Sequence, residues 1–392
     1  MNGMNANDNS IVYRDFQFLC MDNVRFILAL LVVWCHVFLL SNILAFDGTG
    51  GVLVKSVIRV LDAFFVNTIV PVYFFISGYL FFLVKKWDKK VYLDKLKNRI
   101  NTLLIPYLLW NGIGVIFVLA KQLPCFNAFL SVPGTNLDLS FQNILSCFYM
   151  YNGKLSAPPV GTENYAQQVQ DQYYPINVAL WYIRDLMIVV VCTPVLHFLL
   201  KKAKVYFLIL LGGLYLFLGY YYIDYHLYQL VIAFFFFSCG AFVSLKRMNF
   251  LELFGKYFKI SIILYLFCSL GYFFISNYSV NASVLLKTVN SFVGVAFAFN
   301  AMNWILHHFP QRCFAAKNMV ALSVFIYMGH CLILPRVLKI LLLFIKPETD
   351  MSQLNCYILT GLLTFALLTG IYFLFRNYMP FVLEMLIGIR KQ

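Results

Sequence analysis

An arginine and a histidine lie inside one apolar run of membrane-spanning length near the start of the chain, DNVRFILALLVVWCHVFLLSNIL over residues 22–44. Ionisable groups at membrane depth cost several kcal/mol unless they are paired or face a wet cavity, so Arg25 and His36 are functional candidates by position alone. Eleven residues separate them, which on an α-helix is about 16.5 Å of rise and roughly 20° off a shared face. The guanidinium offers a fixed fork of donors suited to phosphate, and the imidazole takes and returns a proton near neutral pH. Together they describe a site that grips an anionic carrier at one end and activates a nucleophile at the other. Arg25 could instead snorkel to the interface, with Asp22 one turn earlier as its partner. His36 is too deep for that, and its nitrogens call for a polar partner inside the protein.

The elements that must hold these residues follow from composition. A chain that is 62% hydrophobic and 12% charged, with a mean hydropathy of +0.79, is expected to be an all-α, polytopic integral membrane protein. Apolar runs predict about ten transmembrane helices, near 24–44, 60–84, 101–120, 177–200, 205–223, 228–245, 260–277, 287–306, 319–341 and 356–378. With the N-terminus inside, 20 of the 30 Lys and Arg fall on the inner side, six outside and four at membrane depth. That bias places both termini in the cytoplasm, and it accounts for a net charge of +14 without any nucleic-acid partner. The expected organisation is a cytoplasmic segment over 1–23, a transmembrane domain over 24–378 and a cytoplasmic tail over 379–392. The first 21 residues lack a cleavable-signal pattern, so the first helix is expected to be retained. The longest connection, 121–176, is external; it holds Cys125 and Cys147, for which a disulfide is one possibility. No Cys or His spacing reads as a metal site, and no resident cofactor is implied.

Further irregularities mark other helices. Pro71 and the Ser77-Gly78 pair interrupt the second run, where they could break or kink it or simply allow close helix packing. Trp181, Arg184 and Asp185 sit near the outer end of the fourth, as an interfacial anchor or a pore lining. His330 is a second midplane histidine, in the ninth, and Asp62 near the outer start of the second could reach the depth of His36.

Taken in order, these segments resemble the acyltransferase-3 family of integral membrane acyltransferases, whose members include bacterial polysaccharide O-acetyltransferases. The resemblance rests on Asp22, Arg25 and His36 in a D-x-x-R-x10-H arrangement, FFISG at 74–78, KLKNRINTLLIPYLLW at 95–110, WYIRDL at 181–186, FFFFSCG at 234–240 and SVFIYMGH at 323–330. Two departures stand out: Pro71 occupies a slot where many members carry Asp, and only Arg99 clearly fills one of several arginine slots before the third helix, Leu103 filling another. These bear on the acceptor more than on the reaction.

The resemblance implies a multi-pass protein of the inner (cytoplasmic) cell membrane that transfers an acyl group from cytoplasmic acyl-CoA, most simply acetyl-CoA, to a hydroxyl of a glycan or polysaccharide. His36 and Arg25 would be catalytic, His36 as general base or acyl carrier. Asp22, Ser77, Gly78, Arg99, Trp181, Arg184, Asp185 and His330 would support them. Two other classes fit the residues less well: a transporter of a glycan precursor or small anion, and a non-catalytic component of a polysaccharide assembly complex.

Overall fold

The computed structural model describes residues 6–37, 52–120, 140–149, 174–221, 225–276, 278–309 and 317–388, and among them it is helical apart from short connections, with no strand. The chain runs α1 (Ala6–Val37), α2 (Val52–Leu61), a π turn (Asp62–Val66), α3 (Asn67–Phe82), α4 (Lys89–Arg99), a second π turn (Ile100–Leu104), α5 (Ile105–Ala120) and α6 (Phe141–Tyr149). It continues through α7 (Trp181–Val191), α8 (Thr193–Lys202), α9 (Val205–Tyr221), α10 (Tyr225–Leu245), α11 (Phe250–Gly255) and α12 (Phe258–Ile275). The last four helices are α13 (Val280–His308), α14 (Lys317–Phe344), α15 (Asp350–Tyr378) and α16 (Pro380–Ile387). Among the described residues, eight spans are long and apolar enough to cross a membrane; α7 and α8 form a ninth if their 63° bend is one broken span, and α9 is a shorter apolar helix. Each of the ten predicted runs therefore has a helical counterpart.

The first span differs from its predicted limits. Its apolar stretch begins at Phe16, because FQFLC continues the hydrophobic pattern below the polar Asp22-Asn23 step, which ended the run when read from sequence. Phe16 packs edge-on against His307 at the end of α13, with ring centroids 4.8 Å apart. Arg25 is nine residues, about 13.5 Å, further along α1. It therefore stands between two and three helical turns beyond the start of that apolar stretch.

The second span is not broken at Pro71. Instead a π turn precedes the proline, where an inserted residue loosens the helix ladder. Neighbouring helices take the exposed carbonyls: Asn290 Nδ2 donates to Ala63 O at 3.2 Å, and the Tyr265 hydroxyl donates to Phe64 O. In the same turn Asp62 receives Lys287 Nζ at 3.0 Å and the Tyr272 hydroxyl at 2.5 Å, so a charged pair at membrane depth is matched within the protein. The turn also packs against α1.

Below the π turn, α3 and α10 approach at backbone contact. A Cβ on Gly78 would collide with the carbonyl of Phe237, and one on Gly240 with the carbonyl of Phe75. In lipid, where hydrophobic force between helices is absent, such small-residue contacts supply the packing that holds helices together. Phe81, Phe82 and Phe237 fill in below this seam, and Phe75, Phe250 and Phe299 close its flank. Where α7 gives way to α8, Pro194 cannot donate a backbone hydrogen bond, and the Thr193 hydroxyl donates to Val190 O at 2.7 Å.

Gly78→Ala should lower the melting temperature of the detergent-solubilised protein, with overpacking costing about 1–3 kcal/mol. Gly213→Ala, where an added Cβ meets nothing within 4 Å, should leave it unchanged in the same thermal-shift measurement.

Candidate functional site

The site is built where α1 packs along α14. The rings of His36 and His330 meet edge to face with centroids 4.8 Å apart, His330 wholly buried and His36 half-buried. Helical geometry fixes how each ring is held. A side chain in a helix leans toward the preceding turn, so the ring reaches a carbonyl of its own helix. His36 Nδ1 lies 2.9 Å from Val32 O, and His330 Nδ1 lies 2.7 Å from Tyr327 O. A carbonyl only accepts, so Nδ1 carries the hydrogen in both rings and Nε2 of each neutral imidazole keeps its lone pair. Two proton acceptors thus face one another's neighbourhood in the core of the bundle. Cys331 Sγ lies 3.4 Å from His330 Nε2.

Three tyrosines join this pair to the level of Arg25. Tyr327, one helical turn before His330, has its ring 6.0 Å from the histidine and 6.2 Å from each of the Tyr73 and Tyr182 rings. The Tyr73 hydroxyl donates to the carbonyl of Arg25 at 2.8 Å. Tyr182 is 2.9 Å from the Ser77 hydroxyl and 3.3 Å from Tyr73 O. Arg25 itself pairs with Asp22 at 3.4 Å, with the two side chains 25% and 38% exposed. That exposure leaves the guanidinium open to a ligand, and an exposed pair of this kind contributes little to stability.

The remaining sequence candidates fall into separate places. Ser77 is in the tyrosine cluster, whereas its neighbour Gly78 serves the α3–α10 seam. Arg99 ends α4 with its guanidinium 5.7 Å from the Phe81 ring centroid; Lys95 lies 5.2 Å from the same ring, so two cations gather at the foot of α3. Trp181 opens α7 and is partly buried against the core. Arg184 and Asp185 form a buried pair at 2.8 Å, and Arg184 also donates to Tyr149 O at 3.0 Å, which ties α6 to α7. The Tyr107 hydroxyl donates to Phe148 O on the same short helix, and Ile176 N donates to Cys147 O at 2.7 Å. Cys147 is a buried free thiol whose pKa burial pushes up to about 11. Cys125, its suggested partner, lies outside the described residues.

The residues that sequence reading passed over are Tyr73, Tyr182, Tyr327 and Cys331. Tyr182 and Tyr327 lie inside the motifs WYIRDL and SVFIYMGH, and Tyr327 is one turn from His330. That spacing was the available signal.

A family model described as an acyltransferase domain matches residues 18–376. Comparison with curated proteins and with solved structures yields no match.

Replacing Arg184 with Met would leave Asp185 charged and buried, and removal of one partner from such a pair costs about 3–5 kcal/mol. Arg184→Met should therefore melt well below the parent protein in a thermal-shift assay, and Arg184→Met with Asp185→Leu should recover much of the loss.

Proposed function

From the premise that this chain belongs to the acyltransferase family whose model spans residues 18–376, we propose that it moves an acetyl group from acyl-CoA on the cytoplasmic side to a hydroxyl of a glycan across the cell membrane. The observation that carries this reading is the state of His36. With its Nδ1–H given to Val32 O, the ring presents Nε2 as a base within a polar cluster in the bundle.

In this reading Nε2 takes the proton of the acceptor hydroxyl as its oxygen attacks the thioester carbonyl. The carbon–sulfur bond then breaks, and the departing CoA thiolate recovers the proton from His36. The Val32 carbonyl stabilises the imidazolium formed between these steps, and the buried His330 holds the His36 ring from the side. A thioester exchanged for an oxygen ester needs no metal or redox group.

Arg25 suits the opposite end of the carrier. CoA separates its phosphates from its thioester by a long flexible arm, and Arg25 and His36 are separated by about 16.5 Å of helix. A phosphate offers several acceptors and more charge than Asp22, and it competes well for the guanidinium fork. Lys95 and Arg99 add positive charge at the foot of α3, on the side that the distribution of Lys and Arg assigns to the cytoplasm.

The test supplies labelled acetyl-CoA to membranes containing the protein and measures label in glycan. His36→Ala should reduce transfer by about 10²–10⁴-fold at unchanged levels of membrane-inserted protein, the range typical of losing a general base. Retained transfer would overturn the assignment. Arg25→Lys keeps the charge and loses the fork, so it should raise KM for acetyl-CoA more than it lowers kcat.

A further inference from the structure

We propose that His36, His330 and Cys331 form a binding site for a thiophilic divalent cation, Zn2+ above all, and that the cation blocks acyl transfer by occupying the lone pair of His36. The blocking step rests on the reading of His36 as the base; the metal site does not.

The donor set is the first ground. His36 Nε2, His330 Nε2 and Cys331 Sγ are two imidazoles and a thiol, the ligand types that zinc prefers. One ligand atom from each residue lies within 4.8 Å of the others. With Zn–N near 2.0–2.1 Å and Zn–S near 2.3 Å, tetrahedral ligands stand about 3.3–3.7 Å apart. His330 Nε2 and Cys331 Sγ are already 3.4 Å apart. Closing the longest separation takes a shift of about 1 Å, within the reach of side-chain rotation about half-buried His36.

The second ground is the orientation of the rings. A histidine that ligates zinc through one nitrogen almost always gives the other nitrogen's hydrogen to a carbonyl, carboxylate or water, which fixes the tautomer. Val32 O and Tyr327 O do this for His36 and His330. Both rings therefore keep the lone pair on Nε2, the nitrogen left to take a cation, before any cation arrives.

Charge and protons balance simply. Both imidazoles bind neutral, and Cys331 gives up its S–H proton on coordination, so the site takes Zn2+ and releases one H+. The bound centre carries a net charge of +1 with three protein ligands, and water completes the fourth position. In that state His36 Nε2 cannot accept the acceptor hydroxyl's proton. Sequence alone could not show this site, because its members come from the first and ninth predicted spans.

The test uses the purified full-length protein in detergent with Co2+ as the spectroscopic probe and Zn2+ as competitor. The wild type should bind one Co2+ per chain with a sulfur-to-cobalt charge-transfer band and the strong visible absorption of tetrahedral cobalt, both bleached by Zn2+. Cys331→Ser should lose the charge-transfer band and weaken binding by at least about 10–100-fold, the range for losing an outer-shell partner, which a direct ligand exceeds. His36→Ala should keep the sulfur band and also bind more weakly, which reports the second ligand if one variant is poorly folded. Zinc should inhibit acetyl transfer by the wild type, and Cys331→Ser, measured against its own metal-free rate, should need at least about 10–100-fold more zinc for the same fractional inhibition. Absence of the sulfur band from the wild type, or its persistence in Cys331→Ser, would overturn the metal site and leave the acyl-transfer reading untouched. Binding without loss of transfer would overturn the blocking step.

Discussion

Polar groups placed in hydrocarbon must find their partners within the protein, and the nearest acceptor is a carbonyl of the same helix. This constraint governs the centre of the molecule. His36 uses Val32 O, His330 uses Tyr327 O, Asn23 uses Leu19 O, Asn111 uses Tyr107 O and Thr360 uses Cys356 O. For an asparagine or threonine the result is mere satisfaction. For a histidine it also decides which nitrogen keeps its lone pair, so the cost of burial and the chemistry of the ring are settled by the same hydrogen bond. The protein does not need an acidic residue behind either imidazole to orient it.

A second requirement is that α1 and α14 remain in register, because the two histidines meet across their contact. Rigidity comes from elsewhere in the bundle. The α3–α10 seam brings backbone against backbone at Gly78 and Gly240, and Tyr73 reaches from α3 to the carbonyl of Arg25. The tightest packing is thus one hydrogen bond away from the proposed phosphate clamp. On the far side, Arg184 and Tyr107 hold α6 through its terminal carbonyls, which fastens the described part of the long connection between α5 and α7 to both of them.

Much of this was legible in the amino-acid sequence, and the reasons are physical. Long apolar runs report spans directly, and all ten found helical counterparts, because burial of a backbone in lipid leaves helix as the available solution. Arg25, His36 and His330 were visible as costly residues in apolar surroundings. What stayed hidden depends on partners distant in the chain. Nothing around His36 announces that His330 is its neighbour, and nothing in YMGHC distinguishes Cys331 from a small apolar filler. The apolar part of α1 extends below residue 24 to Phe16 because Asp22 and Asn23, which resemble an end of the hydrophobic run, lie within the helix, where Asp22 pairs with Arg25. Pro71 drew attention to a distortion that in fact lies one turn earlier, where the ladder absorbs an inserted residue.

That inserted residue has consequences for how the second span can change. The π turn is bound to α12 and α13 through Asp62, Ala63 and Phe64, and Arg59 in the segment above it donates to Phe273 O of α12 at 2.9 Å, while the segment below is bound to α10 through Gly78. One hydrophobic rod thus belongs to two neighbourhoods, and the turn sets the rotation between them. Removing a single residue there would swing the upper half by about 100°, carrying Asp62 away from Lys287 and its carbonyls away from Asn290 and Tyr265. The length of this helix is therefore encoded to the residue, a stricter specification than hydrophobicity alone could impose.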